Sequence, residues 1–205
     1  MYTLPVLYFL GIIIFEYLQI KHAWPALLNF FFSCPQFFMN VLQDMTYLCI
    51  HAADASSQNL LQHFKECISF IHECRLNGGS CLVHCLAGVS RSTTMVVAYL
   101  MTVTHYTWEE CLSAVKAIRS FVGPNYGFQQ QLQEYQTTQV SEYRAWLRAS
   151  FRPSPFNDQE QVGTLLSQYT EQQESQRRGA DQRWINQGIG VCGVPSNTDN
   201  PEGSS

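Results

Sequence analysis

The chain has 205 residues, of which 46% are hydrophobic and 14% charged, and 16 acidic against 12 basic side chains give a formal charge of −4. That is enough for one domain with a remainder, and too apolar for a wholly disordered chain, a collagen or a coiled-coil rod. Without a basic excess there is no electrostatic footprint for nucleic acid, so no nucleic-acid partner is expected. The averages conceal three unlike parts. Residues 1–42 carry only two formal charges, Glu16 and Lys21. Residues 43–150 alternate periodic apolar runs with turn signals, and residues 169–205 are rich in Gln, Ser, Gly, Asn and Asp.

In chain order, the first feature is an apolar run from Leu4 to Phe15, interrupted at Glu16 and resumed at Tyr17-Leu18-Gln19-Ile20. It is short for a spanning helix, and it lacks the basic start and small-residue cleavage site of a signal peptide. Membrane association through residues 4–20 and a buried role therefore stand side by side. N-myristoylation needs glycine directly after Met1, and Tyr2 holds that place. A second apolar cluster, residues 26–41, contains Phe30-Phe31-Phe32 and Phe37-Phe38 beside Pro25 and Pro35.

Met45 to Ile50 reads as a short buried strand. After a polar loop, Leu61, Phe64, Ile68 and Ile71 recur at helical spacing, predicting a helix over about 57–76 that Asn77-Gly78-Gly79 ends. Cys81 to His84 is a second strand. Residues 92–104 form a nearly all-apolar stretch, hence a central buried helix. Thr107 and Glu110 have the form of a capping box, followed by an amphipathic helix carrying Cys111, Leu112, Val115 and Ile118. Gly123-Pro124-Asn125 makes a turn, and a last helix carries Phe128, Leu132 and Tyr135 and extends towards Trp146. Beyond about Gln168 no period is evident, which reads as a flexible tail. Alternating helices and strands argue for an α/β layer.

The eight cysteines, Cys34, Cys49, Cys67, Cys74, Cys81, Cys85, Cys111 and Cys192, include no C-x2-C pair and no His spacing that completes a zinc site. They read as free thiols in a reducing cytosol, with no metal and no cofactor.

One segment carries chemistry. Between a buried strand and a buried helix lies His84-Cys85-Leu86-Ala87-Gly88-Val89-Ser90-Arg91-Ser92. A loop of this length can curl so that several backbone N–H groups point at one centre, at the positive end of the following helix. An oxyanion such as phosphate is favoured there. Gly88 allows a close backbone approach, and the planar fork of Arg91 can hold two phosphate oxygens. The same field lowers the pKa of Cys85, which makes it a thiolate nucleophile suited to phosphoryl transfer. A leaving oxygen needs a proton, and a carboxylic acid on a neighbouring loop can give it. Asp54, in Ala52-Ala53-Asp54-Ala55-Ser56 after the first strand, would share the C-terminal sheet edge with Cys85 if the strands are parallel. Asp54 can equally be read as the cap of the helix predicted from residue 57.

Residues 84–92 resemble the phosphate-binding signature of cysteine-dependent protein phosphatases. From about residue 43 to 156 the chain resembles the JNK-stimulating group of atypical dual-specificity protein phosphatases. Tyr47-Leu48-Cys49-Ile50, His63-Phe64-Lys65-Glu66, residues 70–76, Met101-Thr102-Val103-Thr104 and Pro124-Asn125-x-Gly127-Phe128 carry the likeness. The resemblance implies a cysteine-dependent phosphatase fold, with a mostly parallel sheet of four to five strands flanked by helices. It implies hydrolysis of phosphotyrosine and phosphoserine or phosphothreonine in proteins, in kinase-cascade signalling in the cytoplasm, through a phosphocysteine intermediate. By position, Cys85 is the nucleophile, Arg91 binds phosphate, and Asp54 is the general acid and then the base. Ser92 stabilises the leaving sulfur. Leu86, Ala87, Gly88, Val89 and Ser90 line the phosphate site, and His84 and Asn125 support these groups from behind.

The implied division is an atypical hydrophobic segment 1–42, a catalytic domain 43–156, a peripheral extension 157–168 and a disordered tail 169–205. Residues 1–42 depart from the family pattern, which leaves open whether the first strands of the sheet are replaced or missing, and Gly123 stands where the family has Asn. If that loss cripples the scaffold, the alternative is a defective variant that only binds phosphoproteins or tethers to a membrane. A phosphoinositide phosphatase would favour basic residues in the loop, where Leu86, Ala87, Val89 and Ser90 are neutral.

Overall fold

The computed structural model describes residues 46–188, together with the backbone of residues 12–14 and 28–32. Four strands form one sheet: β1 (Ile12–Ile14), β2 (Leu28–Phe32), β3 (Tyr47–Cys49) and β4 (Ser80–His84), in the order β1-β4-β2-β3. Every pairing is parallel. The register sets Phe32 opposite both His84 and Cys49. The chain therefore leaves β3 and β4 at the same level of the same edge, where parallel sheets bind ligands.

Whether the sheet keeps strands from the N-terminal segment, which the sequence leaves open, is answered by the pairing. Two of the four strands come from residues 1–42, and β2 lies between β3 and β4. Phe-rich and β-branched runs suit a strand covered on both faces, and such runs carry no period by which sequence can recognise them. Within the run 4–20, Ile12–Ile14 pairs with Cys81 to Val83 as a strand. The rest of that run lies outside the described residues. Among the described residues, no helix is long and apolar enough to cross a membrane.

Helix α1 (Phe64–Leu76) buries Phe64, Cys67, Ile68, Ile71 and Cys74 along one face. A 3-10 turn, Leu61–His63, precedes it, so the helix begins later than the predicted residue 57. Gly78 at φ 77° ends it, with its N–H on the Arg75 carbonyl. Helix α2 (Arg91–Val103) is buried from Ser92 to Thr102, as its all-apolar pattern requires. Two of its threonines bond back along the helix, Thr94 to the Ser90 carbonyl and Thr102 to that of Ala98. Helix α3 (Trp108–Ile118) starts at the capping box, with both the Glu110 N–H to Thr107 Oγ1 and the Thr107 N–H to Glu110 Oε2 bonds present. Helices α4 (Tyr126–Thr138) and α5 (Val140–Ser150) replace the single last helix expected from sequence. Gln139 breaks them at φ −125°. Thr137 and Thr138 turn their hydroxyls back onto Gln133 and Glu134 carbonyls just before it.

The chain divides into two units, Met1–Tyr169 and Thr170–Ser205. Helix α6 (Asp158–Gly188) starts in the first. Its first turns are not peripheral. Val162 is fully buried, and the Asp158 carboxylate grips the Arg75 guanidinium at 2.6 and 3.1 Å. The Arg75 guanidinium also lies 4.2 Å from the centre of the Phe156 ring and donates to Tyr99 on α2. In the second unit, residues 170–188 continue as helix where a disordered tail was expected from residue 169. Gln, Glu, Arg and Ala there are good helix formers, but they make no apolar stripe.

Candidate active site

The loop between β4 and α2 places Cys85 at the sheet edge, 1% exposed, at the start of the phosphate-binding signature. Gly88 adopts φ 62°, a left-handed conformation that a side chain would resist, and this lets the loop curl back on itself. The Ser92 hydroxyl lies 3.3 Å from the Cys85 sulfur. Burial works against the thiolate, but it is outweighed. The Ser92 hydroxyl, the backbone N–H groups of Ser92 and Val89, and the Arg91 charge together hold the Cys85 pKa below its ordinary value. Elsewhere burial outweighs the hydrogen bonds that oppose it, raising Cys67 and pushing Cys111 up to about 12. Cys85 is thus set apart from these buried thiols as the one favoured to ionise.

Asp54 sits on the loop after β3 and caps no helix: the 3-10 turn is preceded by Leu60 and α1 by His63. Its carboxylate faces the Cys85 loop instead. Oδ1 accepts from the Ser90 hydroxyl at 2.8 Å and from Asn125 Nδ2 at 2.9 Å. Oδ2 lies 3.6 Å from Arg91 Nε, and Arg91 Nη1 donates to the Ala52 carbonyl at 2.9 Å. The Asn125 N–H also donates to the Ser90 hydroxyl, so Ser90 joins three segments at one oxygen. His84 is buried, and burial lowers its pKa, which keeps it neutral behind the loop. The structure therefore brings Asp54, Cys85, Ser90, Arg91, Ser92 and Asn125 to one place. Leu86 and Ala87 stand exposed on the outer side of the loop.

Sequence reasoning missed how the Asp54 loop is held. Gln131, on α4, accepts from the Leu60 and Leu61 N–H groups at 2.7 and 3.0 Å and donates to the Gln58 carbonyl at 2.8 Å. Gln58 in turn accepts from the Ala53 N–H, one residue before Asp54. A Cβ at Gly127 would meet the Ser56 carbonyl oxygen at 2.0 Å, so α4 presses directly on the loop. The only sequence signal is a glutamine on the same helical side as Gly127 and Phe128. Gly123 ties its N–H to the Val89 carbonyl at 3.1 Å.

Residues 15–138 match the family described as the dual specificity phosphatase, catalytic domain. Dual specificity protein phosphatase 22-A of Danio rerio is 70% identical over 80% of this chain and 79% of its own length. Dual specificity protein phosphatase 22 of Homo sapiens is 57% identical over 62% of this chain and 69% of its own length. The crystal structure of DUSP15 superposes with a TM-score of 0.64 and 41% identity, covering 75% of this chain and 97% of that one. The matched region begins inside the segment 1–42 and takes in β2. A cysteine loop with a lowered thiol pKa, an acid loop hydrogen-bonded to it and a family match over most of the folded region agree: the chain belongs to the dual specificity protein phosphatases.

Proposed function

We propose that the chain hydrolyses phosphotyrosine and phosphoserine or phosphothreonine in proteins through a phosphocysteine. The observation that carries this reading is the Cys85 thiol, favoured as thiolate by Ser92, Val89 and Arg91, with Asp54 tied to the same loop through Ser90. Phosphate binds to the N–H groups of residues 86–90, and Arg91 exchanges its contacts with Ala52 and Asp54 for two phosphate oxygens. The Cys85 thiolate attacks phosphorus as the ester P–O bond breaks, and Asp54 gives its proton to the leaving oxygen. Water then attacks the phosphocysteine and loses its proton to Asp54. The S–P bond breaks, phosphate departs, and the Ser92 hydroxyl donates to the returning thiolate. His84 and Asn125 position these groups without exchanging protons.

Among the described residues six cysteines, Cys49, Cys67, Cys74, Cys81, Cys85 and Cys111, are free thiols, which fits a reducing, cytoplasmic setting. The likeness to the JNK-stimulating group extends the proposal to kinase-cascade signalling. Phosphate release from a small aryl phosphate and from phosphotyrosyl and phosphoseryl peptides tests the reading. Full-length protein turns over all three, and Cys85→Ser turns over none while still binding phosphopeptide. Turnover that survives Cys85→Ser would assign the chemistry to another group.

A further inference from the structure

Among the described residues, three large apolar side chains stand mostly in solvent: Leu86 at 70%, Phe121 at 90% and Tyr126 at 70% exposure. All three frame the cysteine loop. Leu86 directly follows Cys85. Phe121 lies two residues before Gly123, whose N–H bonds to the Val89 carbonyl of the loop. Tyr126 directly follows Asn125, whose side chain holds Asp54. Large side chains left in water on separate segments that meet at one site mark a contact surface. The surrounding charge agrees. Residues 51–59, 86–90 and 120–126 contain no lysine or arginine. Arg91 is committed to the phosphate, and Arg119, at the end of α3, is the next cation before the Phe121 segment. Acidic flanks on a substrate would find little to pair with.

We infer that Leu86, Phe121 and Tyr126 form an apolar rim that grips the substrate segment beside the phosphoresidue and selects phosphoproteins with apolar or aromatic flanking side chains. This rests on the phosphatase reading and adds the substrate class. The occupant is the substrate chain itself, because the rim is continuous with the loop that takes its phosphate. Two aromatic rings of low side-chain entropy gain contact area there without ordering long flexible groups.

The test uses full-length protein, a small aryl phosphate and three phosphotyrosyl peptides of equal length. Their flanks are Leu and Phe, Ser and Gly, or Glu and Asp. The apolar peptide is expected to have the highest kcat/KM. Phe121→Ser and Tyr126→Ser each lower that value by about fivefold to tenfold. The same variants leave the aryl phosphate and the Ser/Gly peptide within about twofold. Equal rates on the apolar and Ser/Gly peptides, or a preference for acidic flanks, overturn the inference. So does a parallel fall in aryl phosphate turnover, because it would assign the two residues to shaping the site. If the wild-type chain fails on aryl phosphate, it is the phosphatase reading that fails. The affinities of the three peptides for the same proteins then make the comparison, with apolar preference lost in both variants as the supporting result and no preference as the overturning one.

Discussion

At the first turn of α2, Arg91 lies 3.6 Å from Asp54, and the Asp54 side chain keeps 35% of its surface in solvent. Further along the same helix, Tyr99 meets Arg75, which holds Asp158 at 2.6 Å with both side chains at 5% exposure or less. The two pairs share their chemistry and differ in what the surroundings allow. Arg91 and Asp54 are loosely joined, and each has a second partner on a loop, Ala52 for one and Ser90 for the other. They can part when phosphate arrives. Arg75 and Asp158 form a two-pronged pair among Tyr99 and Phe156, where a charge that loses its partner has no water to replace it. On the proposed mechanism looseness serves chemistry in the first pair, while tightness ties the start of α6 to the domain in the second.

Substitutions should separate the two pairs cleanly. Asp54→Asn is expected to lower turnover by about 10²–10⁴-fold on a phosphoseryl peptide. The loss should be smaller on an aryl phosphate whose phenolate leaves without a proton, and urea denaturation should change by less than about 1 kcal/mol, as for a partly exposed pair. An unfolded Asp54→Asn protein would break the contrast. Asp158→Ala should do the reverse. It leaves Arg75 buried and unpaired, at a cost of about 3–5 kcal/mol in urea denaturation, while the folded protein keeps its kcat/KM on aryl phosphate. Selective loss of that activity in protein that is still folded would show that the second pair also serves the site.

Two smaller effects sharpen the functional side. Gln131→Ala frees the Leu60 and Leu61 N–H groups and the Gln58 carbonyl. It is expected to slow poor leaving groups about tenfold and good ones hardly at all, because it loosens the Asp54 loop and leaves Cys85 untouched. Equal losses on both would refer the effect to stability. The pH profile reports Cys85. Hydrogen bonds and Arg91 favour the thiolate, so the limb on which activity rises with pH lies below the ordinary thiol range. Ser92→Ala removes a donor to the charged sulfur, which raises the pKa and moves that limb upward. A limb that stays in place would mean that the backbone N–H groups and Arg91 set the thiolate without the hydroxyl.

The stretch from His84 to Ser92 was legible because its parts are contiguous. A strand, a curled loop and a helix N-terminus follow one another, and residues seven apart, Cys85 and Ser92, need only the local backbone to meet. The Thr107 capping box and the apolar faces of α1 and α2 were legible for the same reason. Caps and helical periods are written within a turn or two of chain. Asp54 was ambiguous by this standard. Its sequence neighbours suit a helix cap, and its place against the Cys85 loop is set by Ser90 and Asn125, which lie 36 and 71 positions away.

What the fold added lies at long separation. Gln131 reaches Gln58 across 73 positions, and Arg75 reaches Asp158 across 83. Neither pair leaves a spacing rule in the chain, because the partners are set by which elements pack together. The strands β1 and β2 belong here as well. A continuous apolar run is compatible with a membrane segment, a buried helix or a central strand, and only pairing with β4 chooses among them. Local sequence thus carried the Cys85 loop, whose geometry the adjacent backbone builds. The acid loop's support, the completed sheet and the anchoring of α6 came from tertiary packing, which closes long loops that no local period can record.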